Sequence, residues 1–249
     1  IKAVTFDFHN TLAVCDDWFA LEVRELVPEL LARLALRDGI AVDLARCEQA
    51  RQAYRALRAE VAATGLERDA VACALATLLA IETPVAADVV TALIDELMRE
   101  ALAHTLPVPG ALEAVQELRR RGIRCAVVSS AVHHDFVAWT IERFGLRDAF
   151  VAIVTSASAG YYKSRPEIYT TALDYLGAAP EEAVHVGDSY RFDVQGARRA
   201  GMRAIWFAST EQVLAHGADE AAATIGDLAT LPSVIAFLNG ASRRRLWQR

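Results

Sequence analysis

The sequence predicts an α/β fold: a parallel sheet covered by helices on both faces and interrupted after its first strand by a small all-helical segment. Three observations predict it. Residues 3–8 form a short apolar run with β-branched and aromatic side chains, the pattern of a buried strand. Residues 17–104 then change character, being rich in Ala, Leu, Arg and Glu at helical spacing with almost no strand-like runs. After residues 107–110, helical and strand patterns alternate as far as residue 207. Such alternation implies parallel strands joined by helical crossovers.

The elements follow in chain order. The first strand ends in the polar cluster Asp7-Phe8-His9-Asn10-Thr11. The helical stretch reads as three or four helices packed as a small bundle. Gly39 and Gly65 mark helix ends, and Thr83-Pro84 reads as an N-cap followed by proline at the first helical position. Beyond it come a helix at 111–121 and a strand at 123–129, then a helix near 135–144 and a strand near 150–154. A helix at 166–176 leads to a strand at 183–186, and a helix at 192–200 to a strand at 203–207. The expected division is a core of residues 1–15 and 106–240, a helical domain of residues 16–105, and a C-terminal tail of residues 241–249.

Composition narrows the function. A chain of 249 residues that is 54% hydrophobic buries a core without help from disulfides or a structural metal. A net charge of -6 argues against a non-specific nucleic-acid binder, and the basic cluster at 243–245 reads as solvated. The apolar run at 71–81 is too short to span a bilayer, and no signal-peptide pattern is visible. Cys15, Cys47, Cys73 and Cys125 match no zinc spacing and fit reduced thiols in a cytoplasm. Only two lysines, Lys2 and Lys163, stand against 24 arginines. Where surface charge is supplied by arginine, a lysine between two predicted elements calls for a reason.

Ligands of parallel α/β sheets sit at the carboxyl ends of the strands. Four polar clusters are expected there: the one around Asp7, then Val127-Val128-Ser129-Ser130, then the surroundings of Lys163, then His185-Val186-Gly187-Asp188-Ser189 with Asp193 five residues after Asp188. Asp7 and Asp188 offer oxygens that suit a hard cation such as Mg²⁺. Lys163 and the hydroxyls of Ser129 or Thr11 suit the oxygens of a phosphate. Phosphoryl transfer needs such a set: an in-line nucleophile, which a carboxylate can be, a cation, and fixed positive charge. No GxSxG elbow, GxxxxGK[ST] loop or HExxH helix offers another chemistry.

The order and spacing of these clusters resemble the four motifs of the haloacid dehalogenase-like (HAD-like) hydrolase superfamily, over nearly the whole chain. The first is Val4-Thr5-Phe6-Asp7-Phe8-His9-Asn10-Thr11-Leu12 and the second ends in Ser129. The third is Lys163-Ser164-Arg165-Pro166-Glu167-Ile168-Tyr169. The fourth, the most specific, runs from His185 through Gly187-Asp188-Ser189 and Asp193 to Gly196-Ala197-Arg198.

The resemblance implies a Rossmann-like core and a helical cap over the site, which helps choose the substrate. It implies Asp7 as nucleophile, with Asp7, Asp188 and the main-chain carbonyl of His9 as Mg²⁺ ligands. Asp193 assists the metal directly, through water or by fixing Lys163. Ser129 and Lys163 hold the phosphoryl group, with Ser130 and Thr11 as further phosphate contacts. The implied partner is a small phosphorylated molecule, handled by a monomer or homodimer.

The sequence departs from the family at His9, where phosphatases carry a second Asp for acid–base chemistry. A histidine there can do such work near neutral pH or leave turnover slow. Two alternatives follow: a 2-haloacid dehalogenase with the same Asp nucleophile and no metal, or a catalytically weak phosphate-binding module. The former resemble a Ser-Asn pair where this chain has Gly187-Asp188.

Overall fold

The computed structural model describes residues 1–216 and 220–246. Its centre is a six-stranded sheet in the order β5-β4-β1-β6-β7-β8, with every pairing parallel. The strands are β1 (Ala3–Phe6), β4 (Arg124–Ser129), β5 (Phe150–Thr155), β6 (Ala183–Gly187), β7 (Arg203–Phe207) and β8 (Ala223–Ile225). β1 and β6 are buried along their whole length, as expected of central strands covered on both faces. The chain moves from β1 outward to β4 and β5, then returns to β6 on the other side of β1. This reversal opens a crevice between the carboxyl ends of β1 and β6, where such sheets bind ligands.

The helical segment begins with α1 (Asp16–Ala20), a π-helical turn at Leu21–Glu25 and α2 (Leu26–Arg37), in sequence without a loop between them. It continues with α3 (Leu44–Thr64), α4 (Ala70–Ala80) and α5 (Ala87–Ala103). Asp43 and Asp69 cap α3 and α4 by accepting from the Arg46 and Ala72 amides. The expected cap at Thr83 is not formed. α5 starts three residues after Pro84, behind Ala86, because the Thr83 hydroxyl is engaged with the Ile81 carbonyl and the Arg46 guanidinium. The chain leaves and re-enters the sheet region through an antiparallel ribbon, β2 (Ala13–Val14) on β3 (Leu106–Pro107), which the sequence reading does not anticipate.

The sheet is covered by α6 (Ala111–Arg120), α7 (His134–Arg143), the short α8 (Ser156–Ala159), α9 (Glu167–Leu176), α10 (Gln195–Arg199), α11 (Thr210–His216) and α12 (Leu231–Leu246). The crossover helices sit close to their expected positions. β8 and α12 are additions, and α12 carries the backbone into the stretch expected as a tail. Among the described residues, no helix is long and apolar enough to cross a membrane.

Candidate active site

Asp7 is the first residue after β1. Its amide donates to the Val186 carbonyl at 2.8 Å, which fixes it beside the end of β6. The chain then turns sharply: the Leu12 and Ala13 amides both bond to the Phe8 carbonyl, and Asn10 takes the left-handed conformation, φ 58°. Asparagine tolerates that region better than most residues. The turn brings His9 and Asn10 to the wall of a cavity of about 590 Å³ that also contains Asp7, Ser129, Ser130, Lys163, Asp188 and Asp193.

All four predicted clusters therefore meet. The Lys163 ammonium donates to Asp7 at 2.5 Å and to Asp193 at 2.7 Å. Asp7, Asp188 and Asp193 each present a carboxylate oxygen within 4.8 Å of the others, a donor set that fits a hard divalent cation. Burial raises the Asp7 carboxyl above its ordinary value; Lys163 opposes this and the Asp193 charge adds to it. Burial and the charges of Asp7 and Asp193 push Asp188 up to about 8. Among the described residues, Asp188 forms no ion pair, so the crowding of negative charge is left for an added cation to relieve. Burial works against the Lys163 charge, yet Asp193 and Asp7 together hold the ammonium well above the usual lysine value.

The roles within the cluster separate. Asp193 has both oxygens engaged: Oδ1 accepts from Lys163 and lies 3.1 Å from His185 Nε2, and Oδ2 accepts from the Ser189 amide at 2.8 Å. Despite burial, Lys163 and His185 hold its carboxyl far below the ordinary range. This geometry suits the fixing of Lys163. Ser129 closes β4 beside the cavity, and the Ser130 hydroxyl accepts from the Lys163 amide at 3.4 Å. Thr11, expected on the phosphate, lies elsewhere: it is fully buried behind Asp7 and donates its hydroxyl to Asp7 Oδ2 at 3.2 Å. The tight turn points it into the protein, where it orients the carboxylate.

The His9 ring stacks on Phe19 of α1, with centroids 4.4 Å apart and planes 9° from parallel. Its Nε2 is buried without a hydrogen bond; Asp16 stands 3.8 Å away, beyond hydrogen-bonding range. Burial lowers the pKa of the ring despite Asp7 and Asp16, so it is neutral at neutral pH. Trp18 and Phe19 from α1, Glu22 from the π turn, and Arg55 and Arg58 from α3 complete the opposite wall. The loop between α3 and α4 seals one side: the Tyr162 amide donates to Gly65, the Glu67 amide to Gly160 and the Ala70 amide to Val132. Gly65 has φ 74°, and a Cβ on it would lie 2.2 Å from the Arg165 side chain, so only glycine fits.

The family model of haloacid dehalogenase-like hydrolases matches residues 1–201. The chain belongs to the haloacid dehalogenase-like hydrolases. It is similar to the human haloacid dehalogenase-like hydrolase domain-containing protein 3, 31% identical over 210 residues that cover 81% of this chain and 80% of that protein. It is also similar to a phosphoserine phosphatase from Thermus thermophilus, 37% identical over 114 residues, 46% of this chain and 45% of that one. Among solved structures it resembles a 2-haloacid dehalogenase from Pseudomonas syringae, with TM-score 0.69, 25% identity, and coverage of 96% of this chain and 99% of that one.

Within this HAD-like hydrolase, sequence reasoning misses His185 as a site residue. It is fully buried in β6, with Nδ1 2.8 Å from the Thr5 hydroxyl and Nε2 on Asp193. The signal was a lone histidine inside an apolar strand. Also missed are Glu22, Arg55 and Arg58, which periodicity alone could not direct toward the cavity. His133 and His134 are engaged elsewhere, His133 capping α7 and pairing with Asp95 at 3.2 Å, His134 on Thr155. The basic cluster at residues 243–245 falls on side chains outside those described.

Proposed function

We propose that this hydrolase is a Mg²⁺-dependent phosphatase that cleaves a small phosphorylated metabolite through an aspartyl-phosphate at Asp7. The observation that carries the reading is the meeting of Asp7, Asp188 and Asp193 oxygens within 4.8 Å, with Lys163 bonded to two of the three carboxylates. Asp7, Asp188 and the His9 main-chain carbonyl would hold Mg²⁺, which when bound supplies positive charge to the phosphoryl oxygens.

The chain's own residues do the rest. Asp7, aimed by its main-chain bond to Val186 and by Thr11, attacks phosphorus along the line of the departing oxygen. Lys163, kept charged by Asp193, neutralises the phosphoryl group, and Ser129 donates to it. His9, neutral and facing the cavity, accepts a proton from the water that cleaves the acyl phosphate. Residues 16–105 serve as the cap, closing the cavity against bulk water.

Release of phosphate from p-nitrophenyl phosphate tests the reading. Activity is expected with Mg²⁺, to be lost with EDTA, and to fall at least about a thousandfold in Asp7→Asn. Activity that survives EDTA or Asp7→Asn would overturn it. A dehalogenase reading is kept in view by the Pseudomonas syringae likeness. It requires halide release from 2-chloropropionate without Mg²⁺, and the carboxylate of Asp188 beside Asp7 disfavours it by repelling an anionic substrate where no cation intervenes.

A further inference from the structure

The cations of the cavity differ in what they already hold. Lys163 is bonded to Asp7 and Asp193. Arg58 makes a two-pronged pair with Glu67, at 2.7 and 2.9 Å, and its side chain is almost buried. Arg55, one turn earlier on α3, lines the same cavity, is exposed, and forms no hydrogen bond or ion pair among the described residues. The acid that feels its charge, Glu48, lies two turns back and is itself bonded to Arg51 and Gln52.

The same cavity also has apolar lining, from Ala59 and Ala62 on the same helix, Phe19 and Val23 of the first helical stretch, and Phe192, while Glu22 is the acid that the helical side adds to it. A free guanidinium fork in the same cavity as a candidate phosphate site built from other elements is equipped for a second anionic group. The volume of about 590 Å³ lies in the range of small-molecule sites.

We infer that Arg55 reads a second anionic group on the substrate, so that this enzyme acts on small phosphate monoesters carrying a carboxylate or second phosphate at the end away from the scissile bond. The inference rests on the phosphatase reading for the position of the scissile phosphate. Arg55 is then a specificity residue: it binds the remote anion through paired N–H donors, and the core residues carry out the cleavage.

Three probes of one skeleton test it: 3-phosphooxypropanoate, its uncharged counterpart 3-hydroxypropyl phosphate, and propane-1,3-diyl bisphosphate. In wild-type enzyme with Mg²⁺, kcat/KM is expected to favour at least one doubly anionic probe over the alcohol, and whichever is favoured more identifies the anion. In Arg55→Gln the preference should fall at least tenfold, and Arg55→Lys should restore part of it. No preference in the wild type, or a ratio unchanged in Arg55→Gln, overturns the inference and leaves the phosphatase reading standing. If neither these three nor p-nitrophenyl phosphate releases phosphate, the phosphatase reading falls; whenever the three are not cleaved, calorimetric binding of the same probes decides Arg55 alone. A tenfold weaker affinity of Arg55→Gln for the favoured anion would then support the subsite, and equal affinities would overturn it.

Discussion

The two walls of the cavity are built on different principles. The sheet wall takes Asp7, Ser129 and Asp188 from the carboxyl ends of three adjacent parallel strands, β1, β4 and β6, whose register is set by main-chain hydrogen bonds. The helical wall takes Glu22, Arg55 and Arg58 from faces of a helix and a π turn, positioned by side-chain packing and by the loop that docks on Val132, Gly160 and Tyr162. Both walls contain a buried cation–carboxylate cluster. On the sheet side, Lys163 between Asp7 and Asp193 leaves one carboxylate, Asp188, without a cation. On the helical side, Arg58 and the Ser156 hydroxyl both donate to Glu67, and the Val132 amide donates to Glu22. The contrast teaches that the sheet wall is electrostatically unfinished, as the proposed chemistry requires, whereas most of the helical wall is complete, with Arg55 as its exception.

The sharpest way to break this contrast is to displace Asp193 without touching any charge. A Cβ on Gly187 would stand 2.2 Å from Asp193 Cγ and 2.3 Å from its Oδ2. Gly187→Ala must therefore push the Asp193 carboxylate away from Lys163 and His185, while every titratable group is retained. A misplacement of about 1 Å in a catalytic array lowers rate by about a hundredfold, and kcat of Gly187→Ala is expected to fall by at least that much with a native circular-dichroism spectrum. Near wild-type kcat would show that the position of Asp193 is not what orders the sheet wall.

How much was legible follows the same division. The strands and the four polar clusters could be read because sheet geometry forces the residue after a buried strand to the carboxyl edge, so sequence position alone gives spatial position. Thr11 shows the limit of that logic: its place in the first motif was legible, but the tight turn through Asn10 that sends it behind Asp7 was not. Arg55 and Arg58 lie three residues apart in a helix with two further arginines, Arg46 and Arg51. Which of them is neutralised by Glu67 and which is left free depends on tertiary packing that periodicity does not encode. Thr83 failed as a cap for a related reason, since a distant arginine competes for its hydroxyl. β8, three residues long, offers too few positions for an alternation to show.

A smaller effect is expected at the boundary between the walls, where His9 of the sheet side stacks on Phe19 of the helical side. A neutral imidazole accepts a proton readily, while its remaining N–H is too weak an acid to protonate a departing alkoxide, so it serves water activation better than protonation of the leaving group. His9→Asp places a carboxyl there instead. Kcat for an alkyl phosphate, whose leaving alcohol needs a proton, should rise by about 10- to 100-fold. Hydrolysis of p-nitrophenyl phosphate, whose leaving group departs readily as an anion, should change far less. Equal changes for the two substrates would mean that the identity of residue 9 acts through cap packing and not through proton transfer.

The smallest expected effect tests whether the helical wall is as complete as it looks. Glu22 is buried and accepts from the Val132 amide with both oxygens, at 3.0 and 2.9 Å. Burial pushes its carboxyl up to about 8, with Arg58 and the Val132 amide opposing the rise and Glu67 adding to it. In the unfolded chain the same group titrates near an ordinary 4.5. Between those values the native state keeps a proton that the unfolded state has released, so this group's contribution to stability falls as pH rises through the window and levels off above about 8. Glu22→Gln keeps an acceptor for the Val132 amide and removes the titration. Urea denaturation should show the variant gaining on the wild type by about 4 kcal/mol between pH 5 and pH 8.5, with little further change above. Parallel stability curves across that range would mean that Arg58 already holds Glu22 ionised at neutral pH. The helical wall would then carry a second unfinished charge balance, and its difference from the sheet wall would be one of degree.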